Sequence, residues 1–327
     1  MKRELNLKET QIAIKDVKDF FEVQLANNLN LTRISAPLFI RPETGLNDNL
    51  TGVEKAVSFD IRKYGINVEI VQSLAKWKRN ALKEYGFDMY EGIYADMDAI
   101  RPDEELDYLH SVYVDQWDWE LIIKKSDRNL DYLKQIVNKI YRVFKECELY
   151  INNLYPGCFE EKLPEQISFI STQELEDRYP NLSPKEREDA IVREYKAVFL
   201  IGIGHKLKSG LVHDFRSPDY DDWNLNGDIL FYNPITDSCI ELSSMGIRVD
   251  EDALMEQLNI SGKTDRLKLK YHKDLLAKNL PYTVGGGIGQ SRICMFFLER
   301  KHIGEVQSSI WTDEIVAKCK EHNIKLL

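Results

Sequence analysis

The sequence predicts an α+β fold in which a mainly antiparallel sheet is flanked by helices. In the C-terminal half, one predicted strand follows another without the strand–helix–strand alternation of a doubly wound parallel sheet. Two long helical patterns, at 9–29 and 127–150, supply amphipathic faces that can cover such a sheet. The chain has 327 residues and no long linker rich in proline, glycine or serine, so we expect a single domain over residues 1–327.

The N-terminal half begins with the helix at 9–29, whose apolar residues repeat at helical spacing. Residues 31–40 then alternate as a strand that Pro37 interrupts. Because proline has no N–H group for a strand ladder, we expect this strand to end there or to lie at an edge or interface. The other elements predicted in this half are a strand at 68–73, a helix at 74–85, a strand at 110–121 and the helix at 127–150.

The C-terminal half is predicted to hold most of the sheet. Ser183 and Glu186 have the spacing of a capping box, which predicts a helix at 184–195. The other elements predicted here are a buried strand at 197–203, a hairpin from 228–232 and 239–242, a strand at 283–292 and a final helix at 290–300.

The composition is that of a globular protein, and it argues against several classes of function. A net charge of −10 disfavours a broad nucleic-acid surface, which needs lysines and arginines to neutralise phosphates. No apolar run approaches the length of a membrane span, and the N-terminus lacks the apolar region of a signal peptide, so we expect a cytoplasmic protein. Five cysteines without a C-x-x-C pair predict free buried thiols rather than a zinc site.

The segment 283–292 is the most informative motif. Gly285, Gly287 and Gly289 alternate, so in a strand they share one face, where absent side chains leave room for a flat ligand or a close backbone. Arg292 follows three residues later and can lie over an aromatic ring or pair with phosphate. A turn or a packing contact is the simpler alternative. A dinucleotide site is disfavoured, because the segment has neither a strand–helix–strand context nor an acidic residue about 20 positions later.

A second motif places carboxylates along one strand. Gln116, Asp118 and Glu120 share one face of the predicted strand, while Trp117 and Trp119 share the other. Acceptors in a row repel one another unless a cation lies among them. We therefore expect a ligand cation or a metal at this face, with a plain surface strand as the alternative.

Three further segments carry unusual polar content. Residues 71–78 pass from a strand end into a helix with two lysines, which a solvated surface helix also explains. Residues 212–228 contain a cluster of aspartates that is solvated by default. Residues 240–248 place serines and a glycine between an acidic and a basic residue, and small residues there favour close approach by a ligand.

Together these segments resemble the motifs of class II aminoacyl-tRNA synthetases. Arg101 followed by the strand at 115–120 resembles their motif 2, and the alternating glycines with Arg292 resemble motif 3. Pro37 with the first long helix is similar to motif 1, which builds the dimer interface of that class. The resemblance therefore implies a homodimer and a core of mainly antiparallel strands.

Over residues 5–311 the chain resembles the aspartate–ammonia ligase family, through strings such as those at 109–120, 218–223, 241–249 and 285–292. The core begins close to Met1, so we expect no anticodon-binding domain. The resemblance implies an enzyme that makes L-asparagine from L-aspartate and ammonia through β-aspartyl-AMP. ATP is then a co-substrate that yields AMP and pyrophosphate, and Mg²⁺ is the expected cofactor.

The same resemblance implies a role for individual residues. The expected catalytic residues are Asp48, Arg101 and Gln116. The expected aspartate-binding residues are Ser73, Lys78, Asp118, Asp219, Ser244 and Arg248. The expected ATP-binding residues are Arg101, Glu241, Gly287, Gly289 and Arg292, and the expected metal ligands are Asp228 and Glu241.

The direction of the substrate follows from the chemistry of the two families. The synthetases activate the α-carboxylate, whereas an asparagine producer must activate the β-carboxylate. We therefore expect Lys78 and Arg248 to bind the α-carboxylate, so that aspartate lies reversed in a shared pocket. Asp48 is expected to bind ammonium and accept its proton, although an aspartate in a loop is equally often a turn former.

The sequence favours the ligase over three other functions. A glutamine-dependent asparagine synthetase is excluded, because it needs a cysteine at position 2 and this chain has Lys2. An aminoacylating enzyme similar to aspartyl-tRNA synthetase is disfavoured by the negative net charge. A non-catalytic paralogue is disfavoured by the complete set of polar motif residues.

Overall fold

An eight-stranded sheet forms the centre of the protein. The computed structural model describes residues 3–48 and 54–327. The strands in these ranges are β1 (Leu31–Arg33), β2 (Phe39–Ile40), β3 (Ser58–Ile61), β4 (Ile66–Ile70), β5 (Gly92–Ile100), β6 (Tyr113–Ile122), β7 (Ser168–Ser171), β8 (Ala197–Ile201), β9 (Asp221–Asn233), β10 (Ser238–Arg248) and β11 (Thr283–Gly289). The α-helices in these ranges are α1 (Leu7–Leu29), α2 (Ala75–Glu84), α3 (Leu130–Leu154), α4 (Thr172–Arg178), α5 (Pro184–Tyr195), α6 (Glu251–Ile260), α7 (Lys270–Leu276), α8 (Gln290–Phe297) and α9 (Asp313–Glu321).

The strand order of the large sheet is β1-β5-β6-β11-β10-β9-β8-β7. The two outermost pairs, β1 with β5 and β7 with β8, are parallel, and every pair between them is antiparallel. This arrangement confirms the predicted α+β class with a mainly antiparallel sheet. A second sheet of three short strands has the order β2-β4-β3.

One face of the large sheet packs against α1, α3 and α8, and this layer is the main hydrophobic core. Phe21 of α1 stacks on Trp117 of β6 with ring centroids 5.1 Å apart. Phe144 of α3 meets Phe231 of β9 edge to face at 5.0 Å. Trp119 is also buried in this core, so both tryptophans face the helices, as predicted. The polar residues that alternate with them must therefore face the opposite side of the sheet.

Several predicted boundaries differ from the observed ones. Pro37 lies between β1 and β2, which belong to different sheets, so the interruption is confirmed. The predicted hairpin at 228–232 and 239–242 is much longer, because β9 and β10 continue through polar residues whose side chains face the buried site. The helix predicted as the final one ends at Phe297 rather than at residue 300, and it is not the last, because α9 follows it.

The predicted environment of the cysteines is confirmed, since all five are free and buried. Strand β5 was not predicted, although its residues alternate between buried and exposed positions from Ala95 onward. Strand β7 was also missed, and its four residues are too few for a periodic signal. In the ranges that the structure describes, no helix is both long and apolar enough to cross a membrane.

Candidate active site

Strand β11 lies between β6 and β10, and this position brings three of the sequence motifs together. Gly285 pairs with Glu120, Gly287 with Asp118 and Gly289 with Gln116 on the β6 side. On the β10 side, Gly287 pairs with Ser244 and Gly285 with Gly246. The glycine face of β11 is therefore continuous with the carboxylate face of β6 and the small-residue face of β10.

The alternating glycines are needed for space rather than for an unusual backbone conformation. A Cβ atom on Gly285 would lie 2.1 Å from Glu120 Oε2 and 2.6 Å from Arg248 Nη2. A Cβ atom on Gly287 would lie 2.4 Å from Gln116 Oε1. The prediction that these positions leave room for a flat ligand therefore needs correction at Gly285 and Gly287. The room is filled by polar side chains that β6 and β10 extend across the strand.

A cavity of about 530 Å³ opens over this surface. Eleven of the predicted site residues line it: Asp48, Ser73, Arg101, Gln116, Asp118, Glu241, Ser244, Arg248, Gly287, Gly289 and Arg292. The remaining three, Lys78, Asp219 and Asp228, lie behind its wall. The fold thus gathers residues from six distant segments around one space.

A buried network of charges holds one end of the cavity. The Nη2 and Nε groups of Arg248 donate to the Glu120 carboxylate at 2.7 and 3.0 Å, and Nη1 donates to Asp221. Burial alone would raise the pKa of Glu120, but Arg248 and then Lys78 outweigh it and hold that pKa below its usual value. For Asp221, burial prevails over Arg248 and raises the pKa.

Protein side chains therefore supply the cations that we expected from a ligand or metal beside the β6 carboxylates. Lys78 is fully buried and donates to Asp118 Oδ1 at 2.8 Å, to the Trp119 carbonyl at 2.9 Å and to the Gly286 carbonyl at 3.2 Å. Its three N–H groups thus have three acceptors. The interpretation of this lysine as a solvated surface residue is wrong.

Asp219 is also buried and fully occupied by the protein. Its carboxylate accepts from Lys76 at 3.2 Å, Arg266 at 2.9 Å and His272 at 2.9 Å. Ser217 donates to its other oxygen at 2.9 Å. The aspartate cluster at 212–228 is therefore largely buried rather than solvated. Two residues after Asp219, Asp221 reaches the cavity wall.

The opposite end of the cavity carries three arginines. The Nε atom of Arg101 is buried and has no partner among the described residues. Arg292 donates to the backbone carbonyl of Glu241 at 3.0 Å, and its guanidinium lies 3.7 Å from that residue's carboxylate. Arg216 forms an ion pair with Asp228 and covers it. Three guanidinium groups thus gather at the end where the resemblance implies a nucleotide, and two of them pair with carboxylates.

The two predicted metal ligands, Asp228 and Glu241, lie close enough to affect each other's ionisation. Burial, helped by the nearby Glu241 carboxylate, raises the pKa of Asp228 to about 7 against the opposing effect of Arg216. Burial would also raise the pKa of Glu241, but Arg292 and Arg216 prevail and lower it. Asp228 Oδ1 is buried without a hydrogen-bond partner among the described residues. A carboxylate oxygen without another partner is a hard ligand of the kind that Mg²⁺ prefers.

A dedicated metal cage is not seen among the described residues, since no three His, Cys, Asp or Glu side chains converge. Magnesium in nucleotide sites is commonly held by one or two carboxylates and by substrate phosphates. The residues present therefore fit a metal that arrives with a nucleotide.

Asp48 lies on the cavity wall, and its carboxylate is almost completely buried. Neither oxygen has a donor at hydrogen-bonding geometry, although Ser217 lies close enough to lower the pKa slightly. Burial raises the pKa of Asp48 to about 6, while Lys76 partly offsets the effect. Asn49 and Leu50, which follow it in the predicted loop, lie outside the described residues.

Comparison with known proteins identifies the fold and the family of this chain. The chain superposes on the asparaginyl-tRNA synthetase of Pyrococcus horikoshii complexed with asparaginyl-adenylate, with a TM-score of 0.61 and 16% identity, over 91% of this chain and 68% of that chain. The fold and the motifs around β11 thus define a class II aminoacyl-tRNA synthetase-like protein. Residues 8–323 match the family model described as aspartate-ammonia ligase. The chain belongs to the aspartate–ammonia ligase family.

Relatives in this family match the chain along its whole length. The aspartate–ammonia ligase of Ruminiclostridium cellulolyticum is 62% identical over 100% of this chain and 97% of its own length. The enzyme of the same name from Fusobacterium nucleatum is 61% identical over 99% of this chain and 98% of its own length. Both the fold resemblance and the family resemblance seen in the sequence are confirmed.

Several polar residues of the cavity wall were not predicted from the sequence, and Asp221 and Arg216 are the two that the site uses most clearly. The sequence predicted Asp219 rather than Asp221 as a substrate contact, and it predicted no role for Arg216. Alternation gave no signal for Asp221, because it lies an odd number of residues from Asp228 on β9, and it is a register shift of β9 against β10 that brings it opposite Arg248. Only the pairing of Arg248 with Asp221 shows which aspartate of the cluster reaches the site.

The uncompensated burial of Asp48 predicts a pH-dependent stability difference. Because the folded-state pKa of Asp48 is raised from 3.8 to about 6, its ionisation destabilises the fold as pH rises through this interval. The free energy of unfolding of Asp48→Asn, minus that of the unchanged protein, should grow by about 3 kcal/mol at most between pH 4 and pH 8. Urea unfolding at several pH values measures this difference.

The exposed Asp103 provides the matched control. Asp103→Asn removes the same group from a solvated position, so its stability difference should change little with pH. A difference for Asp48→Asn that stays constant over the same pH range contradicts the burial argument.

Proposed function

We propose that this protein is an ATP-dependent ligase that makes L-asparagine from L-aspartate and ammonia, releasing AMP and pyrophosphate. Membership of the aspartate–ammonia ligase family supports the reaction. The observation that carries the proposal from the geometry is a single cavity with two distinct ends. Arginines at one end suit a nucleotide, and an arginine among aspartates at the other end suits an amino acid.

In the first step, an oxygen of the substrate β-carboxylate attacks the α-phosphorus of ATP. A bond from oxygen to phosphorus forms, and the bond to the pyrophosphate oxygen breaks, which gives β-aspartyl-AMP. Negative charge on the phosphoryl oxygens needs preorganised cations. Arg101, whose Nε has no partner, is suited to the α-phosphate. Arg292 is suited to cover the adenine, with Gly289 beneath it. Contact of Gly287 with the nucleotide stays a prediction, because Gln116 lies over this glycine.

Asp228 and Glu241 are the residues that would hold Mg²⁺ in this site. Bound there, the ion would neutralise charge on the leaving pyrophosphate. Glu241 is well suited to this role, because Arg292 and Arg216 keep its carboxylate ionised against the effect of burial.

The amino-acid end of the cavity supports a reversed aspartate. Arg248 uses three of its five N–H groups on Glu120 and Asp221, so two remain for the substrate α-carboxylate. Asp118 and Asp221 are suited to the substrate ammonium group. With the α end held here, the β-carboxylate is directed toward the arginines of the nucleotide end.

The other predicted aspartate-binding residues support this arrangement in different ways. Ser73 and Ser244 lie on the cavity wall and can hydrogen-bond the substrate directly. Lys78 acts on the substrate through Asp118, which it orients. Asp219 acts on the site from behind the wall, through its ion pair with Lys76. Direct contact of Lys78 or Asp219 with aspartate stays a prediction.

In the second step, ammonia attacks the activated β-carbonyl carbon and AMP leaves. Ammonium must first lose a proton, and the Asp48 carboxylate, which lies on the cavity wall, is suited to bind the cation and accept that proton. A buried carboxylate with a pKa near 6 is a better base than an exposed one while still being ionised at neutral pH. Gln116 can orient the acyl group, since its amide lies over Gly287.

We also infer a homodimer in the cytoplasm that binds no nucleic acid. Helix α1 exposes Ile12 and Val23, which lie three turns apart on the same face. Leu38 and Phe39 are exposed beside Pro37, in the segment that resembles the dimer motif of the synthetases. Sedimentation velocity measures this assembly directly, and a monomer at micromolar concentration would contradict it.

The activity is tested by one incubation of the purified protein with ATP, Mg²⁺, aspartate and ammonium. Asparagine, AMP and pyrophosphate should form in equal amounts, and none of them should form without aspartate. A parallel incubation with tRNA and either amino acid should give no aminoacyl-tRNA. Charging of tRNA without asparagine production would instead support an aminoacylating enzyme.

Arg248 provides the test of the reversed substrate. Arg248→Leu should reduce aspartate-dependent pyrophosphate release about 100-fold or more, because it removes the α-carboxylate contact and the arginine that pairs with two buried carboxylates. Arg248→Lys keeps a positive charge but loses the planar fork, so its KM for aspartate should rise about tenfold while its KM for ATP changes little. Release within twofold of the unchanged protein in Arg248→Leu would exclude the proposed contact.

Substitution of Asp48 should affect the second step of the reaction and leave the first step largely intact. Asp48→Ala should still exchange pyrophosphate into ATP in the presence of aspartate, while asparagine formation falls about 100-fold or more. In the unchanged protein, the second step should lose rate below about pH 6, where Asp48 is protonated. Equal losses in exchange and in asparagine formation would assign Asp48 to the first step or to folding.

A further inference from the structure

Arg216 stands between the cavity and a predicted metal ligand. Its Nη2 group donates to Asp228 Oδ2, and Arg216 rather than Asp228 forms the cavity wall at this point. The other oxygen of the carboxylate, Oδ1, is buried and has no hydrogen-bond partner among the described residues. One carboxylate oxygen of Asp228 is therefore paired within the protein, and the other is available to a ligand.

The second terminal nitrogen of Arg216 holds the side chain to its own loop. Nη1 donates to Asp214 Oδ2 at 2.5 Å and to the Phe215 carbonyl at 3.1 Å. These residues belong to the connection between β8 and β9, which borders the cavity. Asp214 is exposed, so its contact can follow the side chain if the guanidinium moves.

Charge disfavours simultaneous use of Asp228 by a metal and by Arg216. A guanidinium keeps its charge at every physiological pH, so it cannot yield by losing a proton. A divalent cation at Asp228 and Glu241 would repel it from the carboxylate that it now covers. The groups that arrive with that cation are phosphates, and phosphate oxygens are preferred bidentate partners of arginine.

We propose that Arg216 is a third arginine of the nucleotide site, which pairs with Asp228 until the metal–nucleotide complex arrives and then binds its phosphate oxygens. This inference rests on the proposed use of ATP and adds a residue to which no role was assigned. It implies that Arg216 opposes binding of the metal alone and favours binding of the metal with its nucleotide. Removal of the Arg216 guanidinium should therefore raise the affinity for the metal alone and lower the affinity for the metal with its nucleotide. A purely structural role would not change the two affinities in opposite directions.

Metal affinity without nucleotide provides the first measurement. Mn²⁺ alone, followed through the electron paramagnetic resonance signal of the free ion, should bind Arg216→Gln about fivefold more tightly than the unchanged protein. The double variant Arg216→Gln/Asp228→Asn should lose this gain, because the freed carboxylate is absent. Arg193→Gln is the matched control, since it removes an exposed arginine on α5 that pairs with Asp237 away from the cavity.

Nucleotide affinity provides the second measurement. The KM for ATP should rise about tenfold in Arg216→Gln, the loss of one charge-assisted hydrogen bond, while the KM for aspartate stays within twofold. Arg216→Lys should recover part of the ATP affinity but not the bidentate contact. Thermal unfolding with and without Mn²⁺ checks that each variant is folded, and Mn²⁺ should stabilise Arg216→Gln more than the unchanged protein.

Two results would overturn the inference. One is a Mn²⁺ affinity of Arg216→Gln equal to or weaker than that of the unchanged protein. The other is a KM for ATP that stays within twofold. If the proposed function itself is wrong, the protein without any substitution will form no asparagine. That result is distinguishable from the two above, because Mn²⁺ binding can be measured without turnover.

Discussion

The guanidinium of Arg248, held between Glu120 and Asp221, is the interaction on which the site depends. It joins β6, β10 and the start of β9, and it is almost wholly buried. Removal of one partner from such a group leaves an uncompensated charge, which is strongly destabilising. The same ion pairs hold the arginine in one orientation, so two of its N–H groups remain available at a defined place on the cavity wall.

The glycines of β11 make that interaction possible. A side chain on Gly285 would occupy the position of the Glu120 carboxylate, and one on Gly287 would displace Gln116. Strand β11 thus contributes only backbone beneath the cavity, and the functional side chains come from the two neighbouring strands, β6 and β10. Lys78 completes the arrangement from below, through its contacts with Asp118 and with the carbonyl of Gly286. Packing of the tryptophans on the other face fixes the register that keeps these groups aligned.

Much of this was accessible from the sequence, because period-two alternation is a direct consequence of strand geometry. It placed Trp117 and Trp119 on one face and the carboxylates on the other, and it aligned the glycines on a single face. What the sequence did not reveal was the pairing of charges across strands. Residues that meet across β11, such as Glu120 and Arg248, are 128 positions apart, and local patterns carry no information about such contacts. An external cation was therefore expected where the protein provides its own.

The aspartate-rich segment shows a second limit of local reasoning. Asp219 and Asp221 lie on either side of the point where an irregular connection becomes β9. Alternation can be counted only inside a strand, so which of them faces the cavity depends on where the strand begins. Asp219 instead joins Lys76, Arg266 and His272 in a buried cluster beside Asp48. Composition suggested a solvated loop, whereas these partners neutralise the carboxylates and allow them to be buried.

The glycines of β11 also limit how the substrate preference of this family can change during evolution. Because β11 presents no side chains of its own to the cavity, selectivity has to be altered on β6 and β10, whose residues touch one another across it. A change at Glu120 alters the fit of Arg248, and the reverse is equally true. Such contacting positions respond non-additively to substitution. New specificities at this end of the pocket should therefore arise through paired replacements, with single-residue intermediates that fold poorly.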